Sequence, residues 1–164
     1  MNAQKPRRKP MRLSDFDYST PGAYFVTVCT HDATELFSRI YRLSAFEAPV
    51  VELTSCGMII ERNILEISMR FPDYSVECYA IMPNHIHILL TVAEPVIPAE
   101  PKTVSDVMGT FKSLTAVQCL KELGIKKLWQ RSFYDHIVRD DRDFREIAKY
   151  IECNAEKWLL THPS

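Results

Sequence analysis

Met82-Pro83-Asn84-His85-Ile86-His87-Ile88-Leu89-Leu90 joins a turn-forming dipeptide to an apolar, β-branched run that carries two histidines one residue apart. Pro-Asn favours a turn, and successive strand residues point to opposite faces. A strand starting at His85 therefore sets both imidazoles on one face and turns Ile86 and Ile88 into a core. Burying imidazole is costly unless its ring nitrogens are occupied. A divalent metal held by the pair is the most economical explanation, and hydrogen bonding within a core is the alternative.

The rest of the chain builds around that strand. Residues 74–80 alternate as a partner strand, hairpin-paired with 85–92 across Pro83-Asn84. Tyr24-Phe25-Val26-Thr27-Val28-Cys29-Thr30 reads as an earlier strand, and residues 40–43 and 50–53 as a small hairpin. Helical spacing over residues 57–70 is closed by Pro72. Pro95, Pro98 and Pro101 mark a loop. A helix over 104–123 stops at Gly124, residues 129–138 give a fourth strand, and Asp140-Asp141 caps a final helix over 142–160. The order β-α-β-β-α-β plus a helix predicts an α+β, ferredoxin-like split βαβ fold. Its antiparallel sheet carries helices on one face and adds the C-terminal helix. This superfold hosts many activities, so function must come from a site.

The 164 residues fit one domain, read as a basic arm over 1–20 followed by a single domain over 21–164. No apolar run approaches the ~20 residues of a membrane span, and no apolar h-region follows the basic start. Five cysteines without a C-x-x-C pair read as reduced thiols in a cytoplasmic protein, not as a zinc cage or disulfide framework. A net charge of −1 argues against a generic nucleic-acid coat. Yet Lys5, Arg7, Arg8, Lys9 and Arg12 place five of the twenty basic residues in the first twelve positions. Such an arm can follow a phosphate backbone, and a solvated tail explains it equally well.

On the last helix Phe144, Ile147, Ala148 and Ile151 recur at i, i+3, i+4 and i+7 and define a buried face. Tyr150 and Asn154 lie on its flank as i, i+4 neighbours. A phenol there can attack, and an amide oxygen can help hold a metal. Taken singly, a boundary tyrosine and a helix-terminal asparagine explain them. The two residues gain meaning beside the histidine pair.

These segments together resemble a single-tyrosine transposase of the HUH superfamily (U denotes a hydrophobic residue), in its REP-associated tyrosine transposase branch. His85-Ile86-His87 within Met-Pro-Asn-His-Ile-His matches the HUH motif. Trp129-Gln130-Arg131-Ser132-Phe133-Tyr134-Asp135-His136 resembles the Trp-Gln-Arg segment. Tyr150-Ile151-Glu152-Cys153-Asn154 resembles the helix carrying the nucleophile and third metal ligand, and Phe16-Asp17-Tyr18 and Pro21 to Thr27 resemble the N-terminal segment. The likeness spans residues 7–158. One departure is Asn154-Ala155 where the family commonly has Asn-Pro, and alanine extends a helix that proline would disturb. The final helix is therefore expected to run on through Trp158.

The resemblance implies Tyr150 as nucleophile and His85, His87 and Asn154 as ligands of Mg²⁺ or Mn²⁺. It also implies single-stranded DNA with a hairpin as partner, a 5′-phosphotyrosine intermediate with a free 3′-hydroxyl, and a monomer or homodimer. Arg7, Arg8, Lys9, Arg12, Lys112, Arg131 and Arg139 become candidate DNA-phosphate contacts, and Phe133 and Tyr134 candidate base stackers. Tyr134 is the rival nucleophile, without a ligand-like partner at the right spacing. Histidine-triad hydrolases need a third histidine where Leu89 stands. A stacking RNA- or DNA-binding module leaves the histidine pair unexplained. A relative that binds hairpin DNA without mobilising it is the remaining alternative.

Overall fold

The computed structural model describes residues 20–94 and 100–162. The basic arm, with Arg7, Arg8, Lys9 and Arg12, lies outside the described residues, as do Tyr18, Pro95 and Pro98. The chain runs through β1 (Gly22–Cys29), a 3-10 turn (His31–Ala33), β2 (Ser38–Tyr41), β3 (Val50–Leu53), α1 (Ser55–Leu65) and α2 (Ile67–Arg70). It continues through β4 (Tyr74–Ile81), β5 (His85–Val92), α3 (Val104–Leu123), β6 (Tyr134–Val138), α4 (Asp141–Glu152) and α5 (Asn154–Thr161).

Four strands form one antiparallel sheet in the order β4-β5-β1-β6, and β2 pairs with β3 in a separate hairpin. Strand β5 sits between β1 and β4, and β1 sits between β5 and β6. Both helical crossovers therefore skip a strand, which is the split βαβ arrangement the element order predicts.

Period-two alternation divides the sheet between two cores. Tyr24, Val26, Val28, Ile86, Ile88 and Leu90 are buried with Ile60, Ile64, Val107, Met108 and Phe111, packing α1 and α3 on one face. On the other face Ile147 and Ile151 of α4 cover Leu89, with Phe25, Cys78, Ala80, Phe144 and Ala148 around them. Each isoleucine contributes roughly 1.5–3 kcal/mol by leaving water. The face with the histidines is thus covered by α4, while β6 at its edge keeps Tyr134 exposed.

Capping signals act where the sequence placed them. The side chain of Asp140 accepts from the Asp143 N–H at 2.8 Å, and Thr103 with Asp106 forms a reciprocal capping box at the start of α3. Gly124 ends α3 in the left-handed conformation, φ 72°.

Three expected elements are shorter or broken. The helix expected over 57–70 begins at Ser55 and divides at Glu66, where a bend lets Ile67 enter the core while Leu65 and Met69 stay outside. The strand expected from 129 begins at Tyr134. Trp129 makes one bridge to Thr30 and then turns its ring into the core, 5.1 Å from Phe37 and 5.8 Å from Phe111, with its indole N–H donating to Thr115 Oγ1. The final helix does not run on through Trp158. Cys153 (φ −87°, ψ 8°) separates α4 from α5, its N–H directed to the Lys149 and Ile151 carbonyls. Alanine at 155 does not prevent the break because tertiary contacts decide it: Asn154 is buried, and α5 meets β2 with Glu156 paired to Arg42.

Gly57 marks the tightest join. A Cβ there would stand 2.0 Å from the Phe37 backbone oxygen, whereas a Cβ at Gly109 in α3 would meet nothing within 4 Å. Gly57→Ala is expected to destabilise by about 3 kcal/mol through backbone displacement, and Gly109→Ala to stabilise by about 1 kcal/mol through helix propensity. Denaturant titration of the two variants tests the contrast.

Candidate active site

Strand β5 presents His85 and His87 side by side, ring centroids 4.7 Å apart. Each ring is held at Nδ1. The Asn84 Oδ1 lies 2.7 Å from His85 Nδ1, and the Thr27 hydroxyl 2.8 Å from His87 Nδ1. A carboxamide oxygen only accepts, so His85 carries its proton on Nδ1 and, when neutral, keeps a lone pair on Nε2. The Thr27 hydroxyl can accept from His87 Nδ1–H or donate to Nδ1, and the first arrangement gives His87 the same tautomer. Both partners follow from local structure: Asn84 precedes His85 in the turn, and Thr27 stands opposite His87 in the β1–β5 register.

Burial holds both rings neutral. It lowers the His85 pKa from 6.5 to about 4, with a smaller contribution from His162, and the His87 pKa to about 3, with a smaller contribution from His85. Neutral imidazole with a free Nε2 is the ligand form.

The helical side brings Tyr150 and Trp158 against the histidines. The Tyr150 ring meets His87 edge-on at 5.4 Å and Phe25 at 6.1 Å, and the ring is 39% exposed. One turn beyond Asn154, Trp158 lies 6.1 Å from His85. Asn154 is bracketed in the chain between these two contacts and is itself buried. His87 Nε2 and Asn154 Nδ2 are both buried without a hydrogen-bond partner. Half a turn of the carboxamide exchanges its nitrogen for its oxygen. Two imidazole nitrogens and one amide oxygen are a donor set that fits a divalent ion with open positions. Among the described residues no group of three or more His, Cys, Asp and Glu side chains could hold a metal, so a metal at this pair would need a donor of another kind, and the Asn154 amide is the candidate. Lys157 Nζ sits 4.0 Å from the centre of the Tyr150 ring, a cation–π contact that also steadies the ring.

The other expected residues fall in different places. Lys112 is a brace: its ammonium donates to the Gln130 and Arg131 carbonyls at 2.7 and 3.3 Å, and burial lowers its pKa. Phe133 is buried in the main core, so it offers no face to a base. Tyr134 is 55% exposed. Arg131 is exposed at the end of the sheet that carries the histidines, since Gln130 N–H donates to the Cys29 carbonyl beside His85. Arg139 follows β6 at the opposite end, roughly 15 Å further along at strand rise. Asn84, Thr27, Lys157 and Trp158 are site residues that the sequence alone did not identify. Adjacency to His85 is a signal for Asn84, whereas Thr27 needs the long-range register.

The family described as IS200-like transposase matches residues 34–154. A Haemophilus influenzae protein of unknown function is 27% identical, the match covering 96% of this chain and 93% of that one. The Escherichia coli REP-associated tyrosine transposase is 23% identical over 64% of this chain and 58% of its own length. Among solved structures, a REP-associated tyrosine transposase bound to a REP hairpin superposes with a TM-score of 0.62 at 22% identity, over 90% of this chain and 74% of that one. A transposase-like protein from Deinococcus radiodurans gives 0.52 at 13% identity, over 92% and 96%. These likenesses establish the fold. No helix among the described residues is long and apolar enough to cross a membrane.

The depressed histidine pKa values predict how the metal-free protein responds to acid. The unfolded chain takes up protons below pH 6.5, the folded site only near 4 and 3. Protons therefore favour unfolding in this window, and stability falls as pH drops from 6.5 towards 4. Denaturant titrations in chelator at about pH 7 and pH 5 are expected to show that loss, and His87→Gln to reduce it.

Proposed function

This chain belongs to the IS200-like transposase family, and on that premise we propose that it cuts and rejoins single-stranded, hairpin-bearing DNA with Tyr150 as nucleophile and Mg²⁺ or Mn²⁺ held by His85, His87 and Asn154. The observation that carries the reading is the imidazole pair, each ring held at Nδ1, packed against an accessible tyrosine. Hairpin DNA as the partner rests on the likeness to the REP-associated transposase bound to a REP hairpin.

The Tyr150 oxygen attacks the scissile phosphorus, the bond from phosphorus to the 3′-oxygen breaks, and that oxygen takes up a proton and leaves as a 3′-hydroxyl. The 5′-phosphate is then esterified to Tyr150, and a 3′-hydroxyl reverses the step on the same or another strand. Bond energy is conserved, so no nucleotide cofactor is required. A divalent ion at the three donors supplies Lewis-acid stabilisation of charge on the phosphate. Phe25 and Lys157 hold the phenol ring at the rim of the site, Asn84 and Thr27 hold the imidazole rings at Nδ1, and Arg131, with the basic arm, supplies charge to neighbouring phosphates.

The protein incubated with hairpin-bearing single-stranded oligonucleotides and Mn²⁺ is expected to form an SDS-resistant adduct that chelator prevents. Tyr150→Phe should abolish the adduct and Tyr134→Phe should retain it. Binding of such DNA without any adduct would favour a hairpin-binding protein that does not cleave. Asn84→Ala is expected to weaken metal binding roughly 10- to 100-fold, the usual effect of removing a ligand's supporting hydrogen bond. Metal titration followed by thermal shift checks this without DNA.

A further inference from the structure

Tyr134 lies in the same cross-strand row as the proposed metal ligands. In the β1–β6 register Tyr134 stands opposite Thr27, and in the β1–β5 register Thr27 stands opposite His87. Directly opposed residues of antiparallel strands share a face. The Thr27 hydroxyl contacts His87 Nδ1, which fixes that face as the one bearing the site. Ala80, Thr27 and Tyr134 thus flank His87 in one row across the sheet, β4 to β6. Neighbouring strands are ~4.8 Å apart, so the backbone at Tyr134 is about 10 Å from that at His87.

Helix α4 meets β6 at His136, through Asp143, and at Val138, while Tyr134 lies at the other end of that strand. Tyr134 is 55% exposed there, and among the described residues its ring stacks on no other ring. Only the small side chain of Thr27 separates it from the histidines along the row. Its neighbour Phe133 is spent on the main core, and Trp129 is anchored there too. The loop before β6 is pinned from below by the Lys112 ammonium on the carbonyls of Gln130 and Arg131. That pinning leaves the exposed Arg131 three residues from Tyr134, at the same end of the sheet. An exposed aromatic face with a guanidinium three residues away, one short step from the proposed phosphate-handling centre, has the chemistry of a nucleotide subsite: the ring takes a base, the cation its phosphate.

We infer that Tyr134 and Arg131 form a subsite for one unpaired nucleotide of the DNA strand, within two nucleotides of the scissile phosphate, the base stacked on the Tyr134 ring. The inference rests on the proposed function above. It accounts for an exposed tyrosine that has no role in the nucleophilic step. Stacking on a π-face is tolerant of base identity, so the subsite selects unpaired over paired DNA more than one sequence over another.

The test uses the full chain and a series of hairpin oligonucleotides carrying a fluorescent purine analogue at successive unpaired positions. Measurements are made on binding, in a Tyr150→Phe background as well as in the native chain. Quenching is expected at one position near the cleavage point. Tyr134→Ala should lose that quenching and raise the half-saturating DNA concentration roughly 5- to 150-fold, the affinity ratio of one base–aromatic stack. Tyr134→Phe should restore both, because the ring and not the hydroxyl does the stacking. Arg131→Ala should weaken binding and flatten its salt dependence while leaving the quenched position unchanged. Unaltered quenching and affinity in Tyr134→Ala, or failure of Tyr134→Phe to restore them, overturns the subsite. Loss of adduct chemistry in the native chain with the quenching pattern intact counts against the cleavage reading alone and leaves the subsite standing.

Discussion

The pairing of β5 with β1 is the constraint on which the site depends. A slip of one residue would send every side chain of β5 to the opposite face, driving the histidines into the α1–α3 core and Ile86 and Ile88 outwards. Ile86, Ile88 and Leu90 are fully buried, so that slip would cost several large apolar burials at once. The same register sets the Thr27 hydroxyl against His87 Nδ1, offsetting part of the cost of burying an imidazole. The core and the site are therefore two faces of one hydrogen-bonded ladder, and the core enforces the geometry of the site.

The second half of the site is held by a helix that ends at the right place. Ile147 and Ile151 seat α4 on Leu89, and the stop at Cys153 lets the chain turn before Asn154. One flank then presents a rim tyrosine and, four residues on, a buried amide. The exposed Arg42–Glu156 pair fastens α5 to the β2–β3 hairpin, yet such pairs contribute at most about 1 kcal/mol. Burial of Asn154 and packing of Trp158 against His85 must do more to orient α5.

Local signals carried most of the fold in the sequence. Strand β5, helix α3 with its glycine stop, and the start of α4 at Asp140 each announce themselves within a few residues, and the order of elements gave the split βαβ fold. Long-range choices were illegible. Thr27 and His87 are sixty positions apart in the chain, and no local pattern pairs them. Lys112 reads as a free cation because its backbone carbonyl partners arrive from residues 130 and 131. For Phe133-Tyr134, alternation says that one ring is inside but not which, and the structure answers with Phe133. The break at Cys153 has neither glycine nor proline to mark it, because it is imposed by what α5 packs against.

The electrostatics of the site follow from its dryness. Both imidazoles are neutral at pH 7, so the histidine pair presents lone pairs and no fixed charge. On the proposed reading, a bound divalent ion would then be the dominant local cation, and its field would act in a partly desolvated pocket where screening is weak. The fixed cations nearby, Lys157 on the Tyr150 ring and Arg131 on the loop, sit at the rim. A chain of net charge −1 has little general attraction for duplex DNA. On the proposed reading, affinity would then come from a few placed contacts: cations of the arm and the site rim, and the exposed Tyr134 ring offered to an unpaired base. On that reading, such a division of labour favours unpaired strand over duplex.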